Sequence, residues 1–219
     1  MDLIRFSVIA VAMAIISTDA SAVLFDANDR SSNITQAGWT AVDLTGANGV
    51  TFTAVGGSVL DDRDRGTGNT NGAGGDVANN DMWRDFVFAD DRPEGSVAGV
   101  DGMDITVTGL MANRLYDVRL WAFDDSSNHS PSMTWNGNAL GFPSVPDPTS
   151  LDDYVVAFQA STDGAGTLLL EGRVAGQGGN CCNVFVNGFE VTKSVPEPAT
   201  AMLGVFGVAM LGLRRRRMA

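Results

Sequence analysis

The chain is poor in the residues from which most reactive sites are built. Its 219 residues include one histidine, His129, and two cysteines, Cys181 and Cys182. A histidine-rich metal centre is therefore excluded. Any Ser-His-Asp arrangement would have to recruit His129, which lies in an Asn-His-Ser-Pro stretch with no Gly-x-Ser-x-Gly elbow and no His-Glu-x-x-His motif in the chain. A redox Cys-x-x-Cys is also missing. The two cysteines are neighbours, about 3.8 Å apart at Cα and below the usual disulfide range, so a bridge between Cys181 and Cys182 closes a strained ring. An oxidising compartment favours such a vicinal disulfide; free thiols and an intermolecular bridge are the alternatives.

Lysine and glutamate are equally scarce. Setting aside Arg5, Arg214–Arg217, Asp2, Asp19 and Glu197 leaves 9 basic and 23 acidic side chains between residues 23 and 194, net −14. Of those acids, 20 are Asp and three are Glu, and Lys193 is the sole lysine, so the strong helix formers are largely missing. A domain this acidic does not attract nucleic acid or anionic lipid by bulk electrostatics.

What the chain does have is Gly, Asn, Thr and Val in short alternating or apolar runs separated by turn residues. Strands are expected near Val23–Ala27, Trp39–Leu44, Val50–Val55, Trp83–Ala89, Met103–Thr108, Leu115–Phe123, Ser132–Trp135, Tyr154–Ala160, Thr167–Glu171 and Val184–Val191. In Leu115–Phe123, residues Tyr116, Val118, Leu120 and Ala122 share one face, while Asp117, Arg119 and Trp121 share the other. Many short strands in one domain of this size predict an all-β fold, a single antiparallel β-sandwich or jelly roll. Long loops are expected at Asp61–Asp81, Asp124–Pro131 and Phe142–Asp153, the first two meeting at one end of the sandwich.

The two ends of the chain read as address labels. Residues 1–22 have a cation at Arg5, an apolar core from Phe6 to Ile16, and Ala20-Ser21-Ala22, a small-x-small cleavage site cut after Ala22. Residues 195–219 hold Pro196-Glu197-Pro198, an uncharged run from Ala199 to Leu213, and then Arg214, Arg215, Arg216 and Arg217. An apolar run ending against arginines reads as a stop-transfer segment with its cations on the cytoplasmic side. Fifteen helical residues span about 22 Å, against a hydrocarbon core of about 30 Å, so the run is a marginal permanent anchor. The expected organisation is a signal peptide (1–22), a β-sandwich domain (23–194) and a sorting tail (195–219).

Those three tail features, in that order, resemble the PEP-CTERM sorting signal of Gram-negative bacteria. The resemblance implies handling by a membrane-embedded exosortase that cuts near Pro196-Glu197-Pro198. It also implies passage through an inner-membrane intermediate, delivery to the cell surface or extracellular matrix, and an organism that makes exopolysaccharide. A second resemblance spans the domain. Phe25-Asp26, Gly38-Trp39-Thr40, Asp62–Arg65, Trp83-Arg84-Asp85-Phe86, Gly109-Leu110 with Tyr116-Asp117-Val118 and Asp124, and Phe185–Val191 are similar to galactose-binding-domain-like and malectin-like β-sandwiches. It implies association with glycans, and such modules often hold a structural Ca²⁺.

Three kinds of site are candidates. A glycan site needs an aromatic platform beside planar hydrogen-bonding groups. Trp83, Trp121 and Trp135 are the platforms, with Arg63, Arg65, Arg84, Asp124 and Asn128 beside them, and Trp121 is expected at the surface. A Ca²⁺ site would draw on Asp61, Asp62, Asp64, Asp76 and Asp81, although the stretch matches no EF-hand. Glycoside hydrolysis or lysis would need paired carboxyls, and the adjacent pairs Asp61-Asp62, Asp90-Asp91, Asp124-Asp125 and Asp152-Asp153 point to opposite sides of an extended chain. The expectation is a non-catalytic exported protein. A carbohydrate-active enzyme and a membrane-tethered structural protein are the alternatives.

Overall fold

The structure, a computed structural model, describes residues 21–31, 34–65, 81–91, 97–124, 133–140, 148, 150–175 and 184–194. Among the described residues there are thirteen strands: β1 (Ala22–Ala27), β2 (Thr40–Val42), β3 (Val50–Val55), β4 (Ser58–Asp64), β5 (Asp85–Asp91), β6 (Gly102–Val107), β7 (Leu115–Trp121), β8 (Met133–Trp135), β9 (Asn138–Leu140), β10 (Val155–Ser161), β11 (Leu168–Val174), β12 (Val184–Val186) and β13 (Gly188–Lys193), of which β4 and β9 fall outside the expected strands. One helical turn, α1 (Asp81–Arg84), precedes β5. Residues 1–20 of the expected signal peptide and residues 195–219 of the expected sorting tail lie outside the described residues; Ala22, the last residue of that signal peptide, opens β1.

The strands form an all-β sandwich with sheets ordered β10-β7-β13-β1-β2 and β3-β6-β11-β8-β9, and a smaller third sheet β12-β5-β4. Pairing is antiparallel except for β1 with β2, where Phe25, Asp26 and Ala27 run parallel to Thr40, Ala41 and Val42. One core joins all three sheets, through Phe25, Val118, Leu120 and Phe189 from the first, Ile105, Trp135, Leu168 and Leu170 from the second, and Val87 and Phe185 from the third. Strand β5 is buried on both faces, which explains its unbroken Phe86-Val87-Phe88-Ala89 run.

Three expectations need correction. The loop expected from Asp61 begins later, because β4 continues through Asp64 and pairs Asp61 with Phe88, Asp62 with Val87 and Asp64 with Asp85. Trp83 lies in α1 rather than in a strand. The single strand expected over Val184–Val191 is two strands in different sheets, split at Asn187. That residue is fully buried and makes the switch possible. Its Oδ1 accepts from the Phe123 N–H at 2.6 Å, its Nδ2 donates to the Asp85 carbonyl at 2.9 Å, and its backbone N–H and C=O bond Trp121 and Ala27. A chain leaving one sheet for another loses its ladder partners, and the Asn187 amide supplies replacements.

Candidate functional site

The strand register sets up the first group of nominated residues. Asp61 and Arg63 lie opposite Phe88 and Phe86, so Arg63 and Arg65 sit on the face of those rings. The Arg63 guanidinium lies 5.1 Å from the Phe88 centroid, and that of Arg65 lies 5.7 Å from the Phe86 centroid. Arg65 also reaches across to the segment after β7, where its Nε and Nη2 donate to Asp124 Oδ1 and Oδ2 at 3.1 and 2.9 Å. The pair ties the end of β4 to the residues that follow β7, while the loop residues 66–80 and 125–132 lie outside the described residues. The outcome is a fixed, fork-shaped array of guanidinium and carboxylate groups over aromatic rings.

The other nominated carboxylates are largely engaged with arginines. Asp62 accepts from Arg30 Nε at 2.6 Å, and Asp61 lies 3.5 Å from the same guanidinium. Asp64 takes a two-pronged pair from Arg84 at 2.8 and 2.6 Å, which places Arg84 beside Asp64 and 3.6 Å from Asp85. Asp81 opens α1. Among the described residues no group of three His, Cys, Asp or Glu side chains converges as a metal site. Asp76, Asn128, His129, Cys181 and Cys182 lie outside the described residues.

The three tryptophans correct the platform reading. Trp83, Trp121 and Trp135 are all fully buried. Alternation did assign Trp121 to the outward face of β7, but that face is covered: Trp121 packs with Met82, Trp83 and Phe123 in a second apolar cluster, flanked by Trp39, Leu151, Tyr154 and Val155. Its indole N–H donates to the Leu151 carbonyl at 2.8 Å, and Arg119 lies 5.1 Å from its ring. Trp135 pairs with Gly172, and a Cβ on that glycine would come within 2.8 Å of the indole ring, so the missing side chain makes room for it. These rings are packing elements rather than open platforms.

The covered face holds a polar group that the sequence reading had passed over. Asp26, Gly188 and Trp121 form one row across β1, β13 and β7. Asp26 is fully buried, and its Oδ2 accepts from the Gln36 backbone N–H at 2.6 Å. Burial, the largest cause, pushes this carboxyl up from 3.8 to about 7; the Gln36 hydrogen bond opposes the rise, while Asp85 and Asp81 add to it. The sequence signal for this was only an Asp inside an apolar strand.

Residues 194–217 match the PEP-CTERM protein-sorting motif. No curated protein matches the chain in sequence. Several solved structures are similar in shape. In the crystal structure of the plant peptide RALF23 in complex with FER and LLG2, the match covers 81% of this chain and 40% of that chain at 15% identity and TM-score 0.43. For the ANX2 ectodomain from Arabidopsis thaliana the values are 80%, 50%, 13% and 0.44. For a family 35 carbohydrate binding module from Clostridium thermocellum they are 78%, 98%, 12% and 0.35. The chain spans only 40% and 50% of the two plant chains. Among the described residues no helix is long and apolar enough to cross a membrane.

Proposed function

We propose that this protein is exported, sorted by an exosortase through its C-terminal motif, and delivered to the cell surface or extracellular matrix, where its sandwich associates with exopolysaccharide or another glycan without catalysis. The observation that carries the reading is the position of the motif. The match begins at Ser194, where the last strand ends. The Ser194 N–H donates to the Leu115 carbonyl at 3.1 Å and its hydroxyl to Asp117 Oδ2 at 2.5 Å. The described domain thus runs up to the first residue of the matched motif.

The sorting part is tested by replacing Pro196, Glu197 and Pro198 with alanine, which should leave unprocessed protein in the membrane fraction. Unchanged processing and release would refute it. The glycan part draws on the Arg63, Arg65 and Asp124 array, because rigid guanidinium and carboxylate groups suit sugar hydroxyls. A glycan array probed with the exported protein, with and without chelator, tests that part. Liberation of oligosaccharides from purified exopolysaccharide would instead favour an enzyme.

A further inference from the structure

Hydrogen bonds fix the place where the chain leaves the sandwich for its tail. Lys193 lies opposite Tyr116 across β13 and β7, and the Ser194 N–H donates to the Leu115 carbonyl at 3.1 Å. The segment from Met111 to Arg114 is fastened to the same end. The Met111 N–H donates to the Tyr116 hydroxyl at 3.0 Å, the Arg114 N–H to Thr162 Oγ1 at 2.9 Å, and Thr162 Oγ1 to the Met111 carbonyl at 2.7 Å.

This end differs from the rest of the domain. Met111 and Leu115 are large apolar side chains left 52% and 43% exposed. Arg114 is exposed between them, and Lys193, the sole lysine, is half-buried opposite Tyr116. The neighbouring carboxylates are engaged within the fold. Asp117 accepts from Gln159 Nε2 and the Ser194 hydroxyl at 2.7 and 2.5 Å, and Asp163 Oδ1 accepts from the Ala165 and Thr167 N–H groups at 2.8 Å. Two cations here balance two carboxylates, whereas the domain as a whole is net −14.

We propose that this end, through Met111, Arg114, Leu115 and Lys193, rests on the phospholipid bilayer before the tail is cut, on the reading above that places Ala199–Leu213 in the membrane. Chain length supplies the constraint. Residues 195–198 are all that separate Ser194 from Ala199, and five fully extended steps span at most about 18 Å. So short a tether brings the end bearing Ser194 to the bilayer and keeps its local concentration there high. Apolar side chains that stand clear of the core enter the boundary between headgroups and acyl chains. Arginine and lysine lay their stems on apolar surface while their charged heads meet lipid phosphates. The other end is left facing away from the membrane: β7 runs from Leu115 to Trp121, so Asp124 and its partner Arg65 lie at the far end.

The test uses the unprocessed full-length chain in vesicles of phosphatidylethanolamine and phosphatidylglycerol, with a diazirine side chain installed at position 111, 115 or 97. Val97 is the control. It is also exposed, but it neighbours Gly99, whose N–H donates to the Val174 carbonyl at the opposite end of β11 from Leu168 and Gly166. After illumination, mass spectrometry should find lipid adducts several-fold more often at 111 and 115 than at 97. Arg114→Glu/Lys193→Glu should reduce them several-fold. Equal labelling at all three positions, in a chain that resists carbonate extraction, overturns the docking and leaves the sorting reading intact. A chain that carbonate extracts is not held by its tail, and overturns both. Positions 111 and 115 that label no lipid in vesicles but a protein in native membranes assign this end to a protein partner and overturn the bilayer contact.

Discussion

Arg65 and Asp124, 59 positions apart in sequence, meet in a two-pronged ion pair that ties the end of β4 to the segment leaving β7. The Asp124 side chain is 7% exposed and that of Arg65 is 25%, so solvent screens the pair only in part. A double-mutant cycle on Arg65→Ala and Asp124→Asn, read by chemical denaturation, should give a coupling of about 1–2 kcal/mol, above that of exposed pairs. Strictly additive effects would show that the tie contributes nothing to the fold.

Asn187 should be among the most sensitive polar positions. Asn187→Ala removes the acceptor of the Phe123 N–H and the donor to the Asp85 carbonyl, all within a buried region. The expected loss is roughly 2–4 kcal/mol in urea unfolding. Asn187→Asp keeps the acceptor but buries a charge, and should be no better.

The second apolar cluster makes Trp121 a stability residue. Trp121→Ala should cost about 3–5 kcal/mol, as for a large buried aromatic. Gly188→Ala should also destabilise, because a Cβ there would lie 2.8 Å from both the Phe25 carbonyl oxygen and Trp39 Cζ3, and 3.1 Å from Met82 Cγ. A glycan-binding defect in Trp121→Ala with an unchanged unfolding midpoint would contradict this assignment.

Asp26 should leave a pH signature in the stability of the protein. The unfolded chain gives up this proton near pH 3.8 and the native one near 7. The native state is therefore favoured in full below the unfolded value, and that advantage is lost as pH rises through the folded one. Unfolding free energy should fall from about pH 4 to about pH 7, by an amount on the order of a few kcal/mol, and then level off. Asp26→Asn, with no proton to lose, should flatten the profile and be the more stable protein at pH 8.

The strands were legible where alternation ruled, as in β7, where Tyr116, Val118 and Leu120 point into the core and Asp117 and Arg119 point out. Alternation also placed Trp121 on the correct face. It could not show that residues 150–154 and α1 fold back over that face, because that cover depends on contacts between segments distant in sequence. The same reason hid the roles of Asp26 and Asn187: a polar residue in an apolar strand reads as a flaw until its partners across the sheet are known. The aspartates of β4 resembled a cation loop because their partners, Arg30 and Arg84, come from elsewhere in the chain. The sorting motif was legible in full because its information is linear: a Pro-Glu-Pro, an apolar run and an arginine cluster, with no folding needed to bring them together.

The most direct test of the account is the intact mass of the protein recovered from the cell surface or medium. Signal cleavage and exosortase sorting predict a chain that begins at Val23 and ends close to Pro196-Glu197-Pro198, without Arg214–Arg217. A surface-delivered chain that still carries all four arginines would contradict exosortase sorting.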